Sequence, residues 1–185
     1  MLVIISGSSG VGKNTVITKL LERNNNLKLL QTCTTRMPRS TDKDMHNPYI
    51  YLSRDEFEEK IKNGELFEHE EIHENFYGVL NASLQNVAKS DCHYIKDVGV
   101  LGQKNIKEYL KNKAVVLSIF LTAPKEELFK RLKARGDHDI DLRLSRTEFE
   151  LSYAKNYDVV IENLNLDKTL LEIETLIKEY EDKTI

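Results

Sequence analysis

The sequence has few cysteines, no long apolar run and no excess of basic residues. Its two cysteines, Cys33 and Cys92, show no CxxC spacing, so we expect them to be thiols in a reducing compartment. The apolar stretch from Leu2 to Ile5 is too short for a signal peptide or a membrane span, which predicts a cytoplasmic protein without a membrane partner. A net charge of -3 gives no basic footprint for nucleic acid, so small-molecule partners are expected instead.

A linker rich in Pro, Gly or Ser is also missing, and no internal repeat or low-complexity tract is visible. We therefore expect one domain, 1–185, with enough chain to bury its own core. The chain does contain an alternation of apolar, β-branched runs with amphipathic segments, which predicts an α/β fold around a parallel sheet covered on both faces. The expected strands are Leu2–Ser6, Leu29–Thr32, Cys92–Val98, Val115–Leu121 and Val159–Glu162. The expected helices are Lys13–Arg23, Leu84–Lys89, Gly102–Lys111, Lys125–Ala134 and Leu166–Tyr180.

One region, at about 33–79, interrupts this alternation because it mixes short extended pieces with a single helix. Ser53 and Glu56 have the spacing of a capping box at the start of that helix, and Gly64 is suited to a left-handed cap at its end. We interpret the region as a lobe inserted into a core formed by 1–32 and 80–185.

A glycine-rich turn, GSSGVGKNT, spans residues 7–15 directly after the first predicted strand. It contains the GxxxxGK pattern, in which backbone N–H groups converge on an anion and the lysine opens a helix at the same point. The pattern predicts that nucleotide phosphates bind at Ser8, Ser9, Gly10, Val11, Gly12, Lys13, Asn14 and Thr15.

Asn14 stands where this pattern has the hydroxyl of Ser or Thr that meets Mg²⁺. Its amide oxygen is a neutral ligand on a longer arm, and Thr15 lies one residue further round the helix. Mg²⁺ keeps several waters and takes few protein ligands beside the substrate phosphates. The replacement therefore predicts a metal site at Asn14 that is shifted or mainly water-mediated, and it does not predict loss of binding.

The segments QTCTTRMPR at 31–39 and GELFEHEEIHENFYG at 64–78, with Tyr49 between them, resemble the guanylate kinase family, and the resemblance extends over nearly the whole chain. It implies a P-loop NTPase three-layer fold with a central parallel sheet, an inserted acceptor-binding lobe and a short lid at about 131–147. It also implies that the phosphate of an acceptor monophosphate is held by Arg36, Arg39, Tyr49 and Tyr77. Arginines suit a dianion on chemical grounds as well, because each presents paired N–H donors.

For the acceptor base, the resemblance implies that Glu68 and Thr32 contact guanine. The second hydroxyl of the family pattern is replaced by Val79, which predicts weaker selection for guanine. In the strand IKDVGVLG, Asp97 keeps the first of two acidic positions and Gly99 replaces the second. A carboxylate at that strand end, beside the phosphate loop, is placed to orient a substrate group or a metal-bound water.

Four arginines resemble those of the family's lid, which closes over ATP and neutralises charge on the transferring phosphoryl group. They are Arg131, Arg135, Arg143 and Arg146. The lid is shorter than in the family, so the choice between Arg143 and Arg146 stays open. Asn163 matches a position in the family's adenine-side loop.

The loop and the resemblance together imply a nucleoside monophosphate kinase that transfers the γ-phosphoryl group of ATP to GMP with Mg²⁺ by direct in-line displacement. Its catalytic residues would be Lys13, Arg36, Arg135 and Arg143. Two alternatives remain. Related kinases of ribose 1,5-bisphosphate also tolerate a residue without a hydroxyl after the loop lysine, but Glu68 argues against this acceptor. Guanylate-kinase-like binding modules have given up catalysis, but the intact loop argues against that alternative. No oligomeric state is predicted.

Overall fold

The computed structural model describes residues 1–38, 49–72, 74–136 and 140–182, with only the backbone of residue 72. The strands are β1 (Leu2–Gly7), β2 (Leu27–Leu29), β3 (Thr32–Thr34), β4 (Tyr49–Tyr51), β5 (Leu66–Ile72), β6 (Asn75–Leu80), β7 (His93–Asp97), β8 (Val116–Thr122) and β9 (Val159–Glu162). The helices are α1 (Lys13–Arg23), α2 (Arg54–Lys62), α3 (Asn81–Lys89), α4 (Val100–Leu110), α5 (Lys125–Ala134), α6 (Ile140–Ser145), α7 (Thr147–Ser152) and α8 (Leu166–Asp182). A 3₁₀ turn, Ala154–Asn156, follows α7.

Five of these strands form a parallel sheet in the order β2-β7-β1-β8-β9. Every residue of its central strand β1 is buried, and alternate side chains enter two different apolar clusters. Val3 and Ile5 pack on the side of α1, α5 and α8, whereas Leu2 and Ile4 pack on the side of α3 and α4. Burial on both faces is why the strand is continuously apolar. The predicted central parallel sheet is confirmed.

A second sheet, in the order β4-β3-β6-β5, combines one parallel pair with two antiparallel pairs. Its helix α2 begins with the predicted capping box, because Ser53 and Glu56 each accept a hydrogen bond from the other's backbone N–H. The helix is followed by Gly64 at φ 65°, which confirms the expected left-handed position. This sheet extends from Thr32 to Leu80 and spans the region predicted as a lobe, whose bounds at about 33–79 remain a prediction.

The prediction of one strand over Leu29–Thr32 is wrong. Leu29 ends β2 in the parallel sheet, whereas Thr32 begins β3 and pairs with Tyr49 in the second sheet. An apolar, β-branched run shows that its residues are extended, but it cannot show that its two halves pair with different partners. The break carries the chain from the parallel sheet to the second sheet.

Neither cysteine is in a disulfide, as predicted: Cys33 is a buried thiol and Cys92 a half-buried one. Among the described residues, no helix is both long enough and apolar enough to cross a membrane.

Candidate functional site

The phosphate loop connects the carboxyl end of β1 to the first turn of α1. Gly12 caps the helix at φ 100°, a left-handed conformation that a side chain would strain, and the loop can therefore turn sharply into Lys13. The ammonium of Lys13 donates to the carbonyl of Gly7 at 2.7 Å and, more weakly, to that of Ser8 at 3.4 Å. The lysine therefore lies across the loop, beside the positive end of a helix.

Two residues that the sequence predicts to bind ATP form hydrogen bonds to the backbone of the loop. Asn163 is buried, and its Nδ2 donates to the carbonyl of Val11 at 2.8 Å. Arg131 donates to the same carbonyl at 3.1 Å, to the carbonyl of Asn163 at 2.9 Å and to Glu127 at 2.9 Å. These contacts hold the loop in shape, whereas a direct contact of either residue with ATP remains a prediction.

Asn14 and Thr15 are both exposed in the first turn of α1, immediately beyond Lys13. Ser9 and Gly10 are half-buried, whereas Ser8 and Val11 turn into the protein interior. The predicted set thus divides into residues open to a ligand and residues that shape the loop. Val11 belongs to the second kind, because its side chain is fully buried in the core.

The lid arginines differ in what they contact. Arg143, in α6, donates from Nη1 to the hydroxyl of Ser9 at 3.1 Å and therefore connects the predicted lid directly to the glycine-rich loop. Arg135 lies at the end of α5 and, like Arg146, is exposed. Residues 137–139 of the predicted lid lie outside the described residues.

Sequence reasoning missed Glu150, an acidic residue of α7 that lies against the phosphate loop. Burial raises the pKa of its carboxyl, while Lys13, the Ser8 hydroxyl and Arg146 pull that pKa down. One carboxylate oxygen, Oε2, is buried without a hydrogen-bond partner in the described part of the chain. A carboxylate therefore lies close to the ammonium that is expected to meet phosphate.

The predicted acceptor-phosphate residues come together on the second sheet. The guanidinium of Arg36 lies 4.8 Å from the ring centre of Tyr49, and the rings of Tyr49 and Tyr77 meet edge to face at 6.1 Å. Arg36 also donates from Nη1 to the carbonyl of Met37 at 3.1 Å. Arg39, predicted to belong to this group, lies outside the described residues.

A cavity of about 310 Å³ opens between the second sheet and the carboxyl end of β7. This is within the range of small-ligand pockets. Of the predicted acceptor residues, it brings together Thr32, Glu68, Tyr77, Val79 and Asp97. The carboxylate of Glu68 lies directly over Gly102 of α4, where a Cβ would come within 2.8 Å of Oε1. Gly102 therefore makes the room that Glu68 occupies.

Three ionisable groups in this cavity have perturbed proton affinities. Burial raises the pKa of Glu68, although Lys96 lowers it. Asp97 is exposed as a residue, but loss of water around its carboxyl raises its pKa. The positive charges of Lys13 and Lys96 act in the other direction and lower that pKa. Burial lowers the pKa of Lys96 to about 8. Sequence reasoning missed Lys96, although a lysine inside the predicted apolar strand Cys92–Val98 was a signal that could have found it.

A glycine-rich loop that curls round a lysine, at the end of the central parallel strand and at the start of a helix, defines the class of P-loop nucleotide-binding proteins. Within that class, the Guanylate kinase family model matches residues 1–180. The chain belongs to the guanylate kinase family.

Named relatives agree with this assignment. The chain is 38% identical over 181 residues to a guanylate kinase of Prochlorococcus marinus subsp. pastoris, with 96% of each chain covered. It is 37% identical over 188 residues to a guanylate kinase of Bacteroides thetaiotaomicron, covering 98% of this chain and 90% of that one. The crystal structure of guanylate kinase from Anaplasma phagocytophilum matches with a TM-score of 0.72 and 29% identity, covering 97% of this chain and 84% of the other.

Proposed function

We propose that this chain transfers the γ-phosphoryl group of ATP to GMP and releases ADP and GDP. The observation that carries the proposal is the pairing of an intact phosphate loop with a separate acceptor cavity that contains Glu68. Relatives named guanylate kinase at 37–38% identity support the same acceptor. Neither a sugar bisphosphate acceptor nor a binding module without catalysis is favoured by these relatives.

On the donor side, Lys13 would exchange its contact with the Gly7 carbonyl for phosphate oxygens of ATP. Backbone N–H groups of the loop and the positive end of α1 add fixed partial charges that need no rearrangement. Arg143 already contacts Ser9, so it would lie over the phosphates when the lid is closed. This neutralisation is the main task of a protein in phosphoryl transfer, where no covalent intermediate is needed.

On the acceptor side, Arg36 would bind the phosphate of GMP, with phenolic donors from Tyr49 and Tyr77 at its edge. Arg39 belongs to the same proposal. Glu68 would accept from the N–H groups of guanine, deeper in the cavity beside Thr32. Holding the two polyanions in line converts the transfer into an effectively unimolecular step. Exclusion of water by the lid, at about 131–147, would suppress ATP hydrolysis.

Mg²⁺ is the cofactor that the family implies, and the residues beside Lys13 fit it as neutral oxygen donors. Asn14 and Thr15 are exposed in the first turn of α1, while the described residues contain no cluster of three His, Cys, Asp or Glu side chains. Such a donor set fits an ion that keeps most of its waters and is held chiefly by substrate phosphates. When bound, Mg²⁺ supplies positive charge at the β and γ phosphates. A cytoplasmic location is part of the same proposal.

A screen of ADP release tests the proposal, with purified protein, ATP and one acceptor at a time. The acceptors are GMP, dGMP, AMP, CMP, UMP and ribose 1,5-bisphosphate. We expect GMP to give the highest kcat/KM. Equal or faster turnover of ribose 1,5-bisphosphate would contradict the proposal, and so would ADP release that is independent of any acceptor.

A further inference from the structure

Lys96 is a buried lysine in the wall of the acceptor cavity. It lies in β7 beside Ile4 of the central strand, and its residue is only 4% exposed. Its ammonium donates to the hydroxyl of Thr32 and, at a marginal 3.5 Å, to the carbonyl of Leu30. Both hydrogen-bond acceptors are uncharged oxygen atoms. Within the described ranges the ammonium has no ion pair, although Glu68 and Asp97 lie close enough to act on it electrostatically.

Burial of an ammonium without a paired charge is costly unless its N–H groups find hydrogen-bond acceptors. A ligand that supplies such an acceptor would therefore be bound favourably beside Lys96. An ammonium has three N–H donors, and one of the two bonds that it makes here is at the limit of hydrogen-bond length. The cavity that it lines is open to a ligand of nucleobase size. The ammonium of Lys96 can therefore donate a hydrogen bond to a molecule bound in the cavity.

At another lining residue, Val79, the cavity lacks the donor that the family pattern places there. Val79 is 3% exposed and packs in the apolar cluster with Leu84 and Val98, so it offers no hydroxyl to a base. It is also the cross-strand partner of Glu68, the acidic residue of the same cavity. Among the groups that line the cavity, the carboxylate of Glu68 and the ammonium of Lys96 thus form a pair of acceptor and donor.

This pair matches guanine and mismatches adenine. Guanine presents two acceptors, O6 and N7, next to the N–H groups that a carboxylate binds, and lysine is a common partner of O6 and N7. Adenine keeps the N7 acceptor, but in place of O6 it has an amino donor at position 6, which cannot accept from an ammonium and faces it donor to donor. A site whose buried donor loses its acceptor rejects that ligand strongly, because the donor is left unpaired.

We propose that Lys96 is a specificity-determining residue, whose ammonium donates to the O6 and N7 edge of the acceptor guanine and replaces the hydroxyl missing at Val79. The proposal rests on the proposed function, because it assumes that GMP is the acceptor. It goes beyond that function because it names the residue that recognises the O6 and N7 atoms of the base.

The test combines Lys96→Met with changes of single atoms in the ligand. Dissociation constants are measured by titration calorimetry for GMP, 6-thio-GMP and 7-deaza-GMP, because the two analogues weaken O6 and remove N7 without changing the N–H groups that face Glu68. Wild type is expected to bind at least one analogue roughly tenfold more weakly than GMP, the range of a hydrogen bond to a charged group. In Lys96→Met this preference should fall to within twofold, with GMP itself bound roughly 10- to 100-fold more weakly.

Lys104→Met is the matched control, because Lys104 is exposed on α4, outside the cavity lining. It removes the same charge and should keep the wild-type preference. Equal preferences in wild type and Lys96→Met would overturn the proposal, since they would mean that Lys96 acts only through the shape of the cavity. Should Lys96→Met not fold, Lys96→Leu takes its place under the same two criteria, and wild-type affinities for all three ligands within twofold overturn the proposal whatever the variants do.

The outcomes also separate this proposal from the proposed function. Wild-type turnover of GMP with an unchanged preference in Lys96→Met refutes the role of Lys96 alone. Failure of the wild-type protein to bind or phosphorylate GMP refutes both.

Discussion

Replacement of Lys96 by Met should stabilise the folded protein at neutral pH. The lysine is 4% exposed, and burial lowers its pKa from 10.5 to about 8. A lowered pKa means that the folded state binds the proton less well than the unfolded chain does. The cost is therefore fully present below about pH 8 and is relieved as the pH rises from about 8 to 10.5. Methionine has a similar unbranched shape and carries no charge to bury.

The size of the gain follows from that interval. Each tenfold change in proton affinity corresponds to about 1.4 kcal/mol, so the interval from 10.5 to about 8 costs the wild type about 3 kcal/mol at pH 7. The variant also loses the hydrogen bond to the Thr32 hydroxyl, which offsets about 1 kcal/mol. The net expectation is about 2 kcal/mol in the free energy of unfolding at pH 7, or a rise in Tm of about 4 to 8 °C.

Urea unfolding of wild type, Lys96→Met and Lys104→Met at pH 7 and pH 10 measures this gain. The advantage of Lys96→Met should shrink toward zero or reverse at pH 10, where the wild-type lysine is largely neutral in the folded state. Lys104→Met should stay within about 0.5 kcal/mol of wild type at both values, as expected for a surface residue. A Lys96→Met protein that is less stable than wild type at pH 7, or equally stabilised at both pH values, would refute the reasoning.

Three further substitutions test the site. Lys13→Ala should lower kcat/KM by roughly 100-fold or more, because the charge at the phosphates is lost; its Tm should change little, and normal turnover would remove the donor-site assignment. Glu68→Gln should lower kcat/KM for GMP roughly tenfold while leaving the KM for ATP unchanged; an unaltered ratio of GMP to AMP turnover would show that the carboxylate does not contact the base. Asn14→Ser should raise kcat several-fold and lower the Mg²⁺ concentration at which the rate is half-maximal, because a short hydroxyl ligand replaces a longer amide. A serine variant that is slower than wild type at every Mg²⁺ concentration would argue against this account.

The local structure on the donor side could be predicted because its determinants are close together in the sequence. The loop GSSGVGK and helix α1, Lys13–Arg23, have the predicted bounds, since glycine spacing and one amphipathic stripe determine both. The hydrogen bonds that hold the loop from distant parts of the chain could not be predicted in this way. Asn163 is 152 residues from its acceptor, the carbonyl of Val11, and only tertiary folding brings the two together.

The acceptor side was predictable as a set of residues and not as a cavity. Motifs predicted Glu68 and Thr32 as acceptor residues, which stays a prediction. Lys96 follows them by about thirty or more positions and lies beside Thr32 only because the chain crosses between two sheets after Leu29. A lysine inside an apolar strand is a signal, but the sequence does not show whether that strand is central or lies at a sheet edge, where a lysine is solvated. Glu150 was missed for a related reason: an acidic residue on a short helix is ordinarily solvated, and its closeness to Lys13 depends on how α7 packs.

Transfer of labelled phosphate from [γ-³²P]ATP, followed by separation of the products, tests the central claim most directly. With wild-type protein, Mg²⁺ and GMP, the label should appear in GDP at a rate far above that with AMP, and Lys13→Ala should slow the transfer by roughly 100-fold or more. Label released only as inorganic phosphate, or transferred to AMP as fast as to GMP, would contradict the assignment of this protein as a GMP kinase.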